Sequence, residues 1–359
     1  MNAKTQNTVI VTVNGTEVDA APGELLIHVA ARAGADVPTL CHDPRLDPMG
    51  SCRMCLVEIE GQRRLQPACA WHVTDGMDVT TESDRIERHR QTLLSMYMAD
   101  HAIDEATKLP QQRGVGNELL DLVLKHGTGP ELTHIGTPRE GREDNNPYIH
   151  FDPEACIACA RCVRYCDEVE AVSAITLAGR GAKTTIATAD QIGLLDSTCE
   201  MCGGCIDTCP TGAMTEKPSL KAPEPEKVVR STCNFCGVGC QLDLHVADDQ
   251  VVRITSPEPG TTLNDGNLCI KGRFSYEFIH HEDRLTTPMI RRDGVLEPAS
   301  WDEAIEYAAK GLMGVRDRHG ADALGFVSSS RCTGEENYLV QKLSRAAFGT
   351  NNCHQCAAT

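Results

Sequence analysis

Nineteen residues of this 359-residue chain are cysteines, and sixteen of them fall into four groups of four. The groups read Cys41-x10-Cys52-x2-Cys55-x13-Cys69; Cys156-x2-Cys159-x2-Cys162-x3-Cys166; Cys199-x2-Cys202-x2-Cys205-x3-Cys209; and Cys233-x2-Cys236-x3-Cys240-x28-Cys269, with Cys332, Cys353 and Cys356 left over. Thiolates are soft, strongly donating ligands, whereas disulfides are rare in a reducing cytosol and an odd number of cysteines cannot pair completely. Thiols buried singly for packing would not gather in fours. Metal or cluster ligation is the chemistry these residues are spaced for.

Spacing separates the kinds of centre. The two middle runs repeat at a constant offset of 43 residues, which implies two similar half-modules. A C-x2-C-x2-C-x3-C run, present twice and once followed by Pro210, is the bacterial ferredoxin spacing, in which the fourth cysteine of each run ligates the other cluster. That crossing predicts one [4Fe-4S] centre on Cys156, Cys159, Cys162 and Cys209, and a second on Cys199, Cys202, Cys205 and Cys166. Zinc modules rarely use three cysteines two apart. Asp167 stands where a proline is usual after the first run, which alters a turn but no ligand. The first group departs from the plant-type C-x4-C-x2-C order. Because it follows a β-grasp-like opening, it is read as a [2Fe-2S] centre rather than a zinc site.

The elements that must hold these loops are partly legible. Val9 to Val13 is an extended apolar run, Asn14-Gly15 a hairpin signal, and a second strand and a helix ending near Gly34 follow, the order of a β-grasp domain. Residues 81 to 126 read as helical, with Leu93, Leu94 and Tyr97 in one apolar set and Leu119, Leu120, Val123 and Leu124 in another. EKPSLKAPEPEK, residues 216 to 227, has linker composition. Ser300 with Glu303, and Thr333 with Glu336, form capping boxes before two helices, the first presenting Ala304, Ile305, Ala308, Leu312 and Val315 on one face. With the strand ALGFVSSS between them, they open an α/β domain.

Acidic residues outnumber basic ones 51 to 34, a net charge of -17 that repels nucleic acid and anionic membrane surfaces on average. The sequence has no apolar run long enough to span a bilayer, and its start lacks the features of a secretory signal. A soluble, cytoplasmic protein without nucleic-acid or membrane partners is expected.

Larger patterns resemble known families. Cys41 to Cys69 after the β-grasp opening resembles the amino-terminal module shared by the large iron–sulfur subunit of respiratory complex I, NAD-linked hydrogenases and NAD-linked formate dehydrogenases. The stretches STCNFCGVGCQLDLHV and GNLCIKGRFSYEFI resemble the [4Fe-4S] module that opens molybdenum or tungsten bis-pterin oxidoreductases. With GFVSSSRCTGEENYLVQKL and GTNN, the resemblance covers essentially the whole chain, and in module order it is similar to the α subunit of cytosolic, NAD-linked formate dehydrogenases. Together with the elements above, this implies an α+β multidomain protein: a β-grasp [2Fe-2S] domain over 1–80, a helical spacer over 81–146, a two-cluster bacterial ferredoxin-like domain over 147–217, a linker over 218–228, a [4Fe-4S] module over 229–290 carried by Cys233, Cys236, Cys240 and Cys269, and the start of a molybdopterin oxidoreductase α/β domain over 291–359.

The resemblance further implies one [2Fe-2S] and three [4Fe-4S] centres, an electron relay at Lys271 beside the pterin, and a flavin- and NAD-binding iron–sulfur partner subunit. Formate oxidised to CO2 would feed electrons along this route to NAD. A non-catalytic electron-transfer subunit of the complex I or hydrogenase type is the alternative; CIKGR and GTNN argue against it, since a chain without a pterin would not need them. Related bis-pterin enzymes such as nitrate reductases are less favoured because of the amino-terminal module.

The chain departs from the family in two places. Many relatives carry a further [4Fe-4S] cluster on one His and three Cys, in a stretch resembling H-x3-C-x2-C-x5-C. Here His101 remains, but Glu105 and Lys108 occupy the first two cysteine positions and no cysteine lies between Cys69 and Cys156. That centre is expected to be missing, and His101 to be a structural or solvated residue. At the other end, GTNN leads in the family to a C-A-R segment followed by a metal-binding Cys or selenocysteine and a His. Aligning Cys356 with the first cysteine of that segment puts Ala358 at the Arg and the metal ligand just past Thr359, where a UGA selenocysteine codon or a fragment boundary would end the reading. The 359 residues are therefore expected to hold the electron-transfer part and to be inactive toward formate alone. A molybdenum or tungsten bis-pterin guanine dinucleotide is expected only in a longer chain. Cys353 and Cys356 are read as thiols lining its floor, Cys332 as a small buried residue, and His280 and His281 as surface residues.

Overall fold

A computed structural model describes residues 8–101, 117–130, 132, 139 and 144–356. Glu105 and Lys108 lie outside the described residues. The chain divides between Pro225 and Glu226 into two compact units.

In the first unit, β1 (Val9–Val13) and β2 (Thr16–Ala20) pair antiparallel across Asn14 and Gly15, both at positive φ (49° and 81°), which these two residues tolerate best. Alternation along β1 buries Val11 and Val13, and α1 (Leu26–Arg32) buries Leu26, Val29 and Ala30 in the same core. β3 (Leu56–Ile59), β4 (Gln66–Pro67) and β5 (Met77–Thr80) complete a sheet in the order β2-β1-β5-β3-β4, with β5 parallel to β1. The same core includes Cys55 and Cys69, so the sheet and its helix brace one side of the first thiol group directly.

α2 (Asp84–Asp100) is capped by Ser83, whose hydroxyl accepts from the Ile86 amide (3.2 Å), and α3 (Glu118–His126) by Asn117, which accepts from Leu120 (3.1 Å). Leu94 and Leu119 are buried between the two helices, with Leu93, Tyr97, Leu122 and Val123 around them. Leu124 is instead 78% exposed: the buried stripe of α3 runs through Leu119, Leu122 and Val123, and Leu124 lies past its edge. Beyond α3 come β6 (Ile149–Phe151), α4 (Arg161–Arg164), the hairpin of β7 (Ile175–Ala178) and β8 (Thr185–Thr188), α5 (Gly204–Asp207), and β9 (Met214–Glu216), which returns to pair antiparallel with β6.

The linker expected over 218–228 is shorter in the structure. Pro218–Lys221 is a helical turn with Ser219 buried, the Lys217 ammonium is held by the carbonyls of Asp144 and Asn146 (2.6 Å each), and a strand begins at Lys227. Composition marked the stretch as polar and proline-rich, but carbonyls of the preceding module capture its first half.

The second unit opens with an antiparallel sheet of β10 (Lys227–Thr232), β11 (Gln241–Ala247) and β12 (Gln250–Thr255), followed by α6 (Ile270–Phe274) and the hairpin of β13 (Met289–Arg292) and β14 (Val295–Pro298). Leu242, Ile254, Leu268 and Tyr276 form its core, packed by Cys233 and Cys240. α7 (Trp301–His319), β15 (Phe326–Ser329), α8 (Gly334–Lys342) and β16 (Cys353–Cys356) then alternate, and β16 runs parallel to β15. The Thr333 capping box closes both ways (3.2 and 2.7 Å). At Ser300 only half of the box forms: its hydroxyl accepts from the Glu303 amide (3.2 Å), while Arg292 takes the Glu303 carboxylate. The apolar face expected on α7 exists but lies open, with no residue of α7 or α8 buried and Ile305 at 61% exposure. Among the described residues, no helix is long and apolar enough to cross a membrane.

One buried pair gives the second unit a pH dependence. His245 Nδ1 lies 3.0 Å from the Arg253 guanidinium, which can only donate, so the imidazole is neutral; Nε2 reaches Thr255 Oγ1 at 2.8 Å. Burial and the Arg253 charge push its pKa down to about 4, whereas an unfolded histidine titrates near ~6.5. The unfolded state therefore binds the proton first, and this contribution, fully present above about pH 6.5, is lost as pH falls through 4. Urea titrations of the whole chain are expected to show a falling midpoint over that range, flattened by His245→Gln.

Candidate metal centres

The first thiol group is assembled from three loops. Cys41 follows α1, Cys52 and Cys55 occupy the turn entering β3, and Cys69 sits in the helical turn Ala68–Ala70; all four are buried. Gly50 (φ 65°) and Arg53 (φ 60°) give the turn its left-handed steps. The Cys52 amide donates to Cys41 Sγ (3.4 Å) and the Ala68 amide to the Cys55 carbonyl (3.0 Å). Bonds from Cys52 and Cys69 pull the Cys41 thiol far down, and Cys69 lowers Cys55 in the same way. The same bonds, with burial, hold Cys52 and Cys69 well above the ordinary thiol range. Four buried sulfurs that interact with one another form a soft donor set of the kind that binds a cation. The donor set fits an iron centre.

In the ferredoxin-like part, the sequence duplication reappears in the backbone. Ala158 and Ala160 take left-handed φ (53° and 61°), and so do Met201 and Gly203 (55° and 76°), their counterparts 43 positions on. Each run folds back so that amides point at sulfur: Ala158 to Cys156 (3.3 Å), Met201 to Cys199 (3.4 Å) and Gly204 to Cys202 (3.5 Å). The fourth cysteine of each run also accepts an amide, from Ala174 to Cys166 (3.2 Å) and from Met214 to Cys209 (3.4 Å). Such bonds stabilise thiolates and tune cluster potentials. Asp167 accepts from the Ser173 hydroxyl (2.5 Å), closing the turn.

The structure brings Cys209 to Cys156, Cys159 and Cys162, where the four line one cavity with Phe151 and Ile186. Burial first, then the Cys209 charge, pushes Cys156 up to about 11, Cys159 up to about 12 and Cys162 well up. Cys166 acts on Cys199 in the same way, behind burial.

In the second unit, Cys233, Cys236 and Cys240 lie on the loop between β10 and β11, closed by the Cys233 amide on the Cys240 carbonyl (2.8 Å). Burial raises Cys233 and Cys240, with the charges of Cys236 and Cys269 adding to it. Cys269, just before α6, is exposed. A Cβ on Gly272 would lie 3.6 Å from Cys233 Sγ, so α6 sits against the loop. Lys271 is half-buried on α6. Among the described residues, no group of three or more His, Cys, Asp or Glu closes on a single-ion position.

The remaining candidates are dispersed. Cys332 is half-buried rather than buried, because the turn between β15 and α8 leaves it partly uncovered. Cys353 is half-buried on β16 opposite Phe326, and Cys356 ends that strand. His101 is buried rather than solvated; burial pushes its pKa down, and among the described residues its Nδ1 has no partner. His280 and His281 are exposed, His280 accepting the Val251 amide (3.2 Å).

Sequence reasoning missed the residues that join the first group to the ferredoxin-like part. Arg164 donates to the carbonyls of Cys41 (3.0 Å) and Asp47 (2.6 Å), and the Asp47 amide returns to Glu168 (2.7 Å). Arg45, paired with buried Asp43, lies 4.9 Å over the Tyr165 ring, and buried Arg161 grips Glu118 with two bonds (2.6 and 2.8 Å). Arginines at 161 and 164 inside a cysteine run were the one available signal.

Comparisons with known proteins agree with this layout. Residues 6–84 match a 2Fe-2S iron-sulfur cluster binding domain, 146–215 the ferredoxin-like domain of NADH-quinone oxidoreductase subunit 3, 226–281 a molybdopterin oxidoreductase Fe4S4 domain and 284–359 a molybdopterin oxidoreductase domain. These matches define the class of modules the chain contains: iron–sulfur cluster domains followed by molybdopterin oxidoreductase sequence. More particularly, the chain is 37% identical, over 96% of its length, to the α subunit of an NADPH-Fe(3+) oxidoreductase of Geobacter sulfurreducens, and 37% identical over 95% to a subunit of an NADH-quinone oxidoreductase of Rhizobium meliloti. A Staphylococcus haemolyticus protein with the provisional name formate dehydrogenase is 28% identical over 98% of the chain. The chain spans about 40% of the length of these relatives. A chain of the solved NAD+-reducing [NiFe]-hydrogenase is similar over 60% of this chain and 90% of its own, at 28% identity and a TM-score of 0.50.

Tyr165 is 1% exposed, and a Cβ on Gly204 would lie 1.9 Å from its ring. Gly204→Ala therefore forces the ring out of its slot, an overpacking that costs about 1–3 kcal/mol or more. Iron analysis of the variant is expected to show the loss of about four iron atoms, those of one [4Fe-4S] centre.

Proposed function

We propose that this chain is the electron-carrying part of a molybdenum- or tungsten-dependent formate dehydrogenase working in the cytoplasm. The observation that carries the reading is the union, in one chain, of [2Fe-2S] and ferredoxin-like modules with the opening of a molybdopterin oxidoreductase. The relative provisionally named formate dehydrogenase, similar over 98% of the chain, supports it. Formate would yield CO2, a proton and two electrons, and NAD would take up two electrons and a proton at the flavin of a partner subunit. When bound, the bis-pterin metal supplies the two-electron chemistry at the formate carbon.

The residues of this chain have the other tasks. Cys41, Cys52, Cys55 and Cys69 hold a [2Fe-2S] centre. Cys156, Cys159, Cys162 and Cys209 hold one [4Fe-4S] centre, Cys199, Cys202, Cys205 and Cys166 a second, and Cys233, Cys236, Cys240 and Cys269 a third. In the two ferredoxin-like runs, amides aimed at sulfur tune the potentials. Lys271, two positions after Cys269, would serve as the electron relay between the third [4Fe-4S] centre and a bound pterin.

A second reading, a non-catalytic electron-transfer subunit, is favoured by the likeness to the hydrogenase chain. The matches over 226–281 and 284–359 speak against it.

Reconstituted protein is expected to bind about 14 iron atoms per chain, for one [2Fe-2S] and three [4Fe-4S] centres. A value near ~18 would place a further [4Fe-4S] centre in the helical segment. The 359-residue chain alone is expected to turn over no formate. A chain carrying these modules at the full length of the relatives, assembled with the flavin subunit, is expected to reduce NAD with formate; NADH-dependent acceptor reduction without formate turnover would overturn the formate reading and leave the electron-transfer assignment standing.

A further inference from the structure

The [2Fe-2S] cage and the first ferredoxin cage share one apolar core. Leu40, Cys41, Cys52, Met54, Leu94 and Leu119 are buried together, and Tyr97, Ile157 and Cys159 pack against them. Tyr97 projects from α2 into this core, with its hydroxyl 3.5 Å from the Cys52 carbonyl, at the outer limit of a hydrogen bond. Tyr97 is half-buried and packs on the core that contains Cys41 and Cys52 and on which Cys159 also packs. A phenol, with an ordinary pKa of about 10, is neutral near pH 7.

The surroundings keep that juxtaposition rigid. Arg164, from the helix carrying Cys162, holds the Cys41 carbonyl at 3.0 Å. The Arg161 pair with Glu118 fixes the start of α3, and the Leu119 amide reaches the carbonyl of Pro210, the residue after Cys209, at 3.4 Å. Two cages tied at both ends of the contact cannot slide past Tyr97.

We infer that Tyr97 is a positioning residue that couples the [2Fe-2S] centre directly to the centre on Cys156, Cys159, Cys162 and Cys209, by filling the space between Cys52 and Cys159 with a neutral aromatic ring. This rests on the ligand assignments above, but not on the identity of the substrate. The ring excludes water from the sulfur side of both cages, and solvent exposure is one of the levers on cluster potential. It also keeps a packed path between the centres, consistent with the absence of cysteine between Cys69 and Cys156.

The test uses the reconstituted full chain and three variants, Tyr97→Phe, Tyr97→Leu and Tyr97→Ala, each checked first for iron content and for the [2Fe-2S] and [4Fe-4S] EPR signals. Redox titration then reads the potentials, and flash reduction reads the rate at which an electron equilibrates between the [2Fe-2S] centre and its neighbour. Tyr97→Phe is expected to match wild type. Tyr97→Leu, which keeps apolar bulk, and Tyr97→Ala, which admits water, are expected to slow equilibration several-fold. Tyr97→Ala is also expected to shift both adjoining centres to more positive potential while leaving the Cys199 and Cys233 centres unmoved.

Unchanged rates and potentials in fully loaded Tyr97→Leu or Tyr97→Ala would overturn the proposal, as would shifts spread over all four centres. Should Tyr97→Ala fail to assemble, Tyr97→Leu carries the decision. If Cys52→Ser keeps an unaltered [2Fe-2S] signal and Cys159→Ser keeps every [4Fe-4S] signal, the ligand assignments fail, and the role of Tyr97 falls with them.

Discussion

The structure depends on one constraint: sulfur that is to carry negative charge inside a protein must be given hydrogen-bond donors, and the nearest donors are the amides of its own loop. An extended or helical backbone points those amides elsewhere. Left-handed residues turn them inward, which is why Arg53, Ala158, Ala160 and Met201 take φ values that side chains usually avoid. The small sheets and short helices serve as abutments for these loops. β6 closing on β9 brackets both ferredoxin-like runs, and the core of the first domain ends on Cys55 and Cys69.

The same constraint explains how the first unit is joined. Loops that turn their amides inward leave carbonyls facing outward, and buried carbonyls need partners. Arg164 takes those of Cys41 and Asp47. The contact between the first cysteine group and the ferredoxin-like part is thus made by loop backbone, with α2 and α3 supplying the apolar filling.

Much of this was legible in the sequence because it is local. Cysteine spacing, the Asn14-Gly15 turn and the caps at Ser300 and Thr333 all act within one or two turns of chain. The exceptions are informative. The half-open box at Ser300 and the exposed Leu124 show local rules yielding to a neighbour, in one case Arg292 and in the other the edge of a buried stripe. The Asp47 amide and Glu168 are 121 positions apart, and no pattern along the chain announces such a pair. Arg45 over Tyr165 is equally silent: an arginine four residues after a cysteine looks like a solvated charge until the ring beneath it is seen. The shortened linker has the same origin, since Lys217 is captured by carbonyls from residues 144 and 146.

Alanine and methionine held left-handed at 158, 160 and 201 store about 1–2 kcal/mol of steric strain each. Glycine at any of these positions would relieve it, as Gly203 does opposite Ala160. Methyl-bearing residues raise the energy of the bent loops, and on the ligand assignments proposed above a bound cluster would offset that strain. The ferredoxin-like part would then be a mould completed by its casting, with iron and sulfide acting as the last residues of the fold.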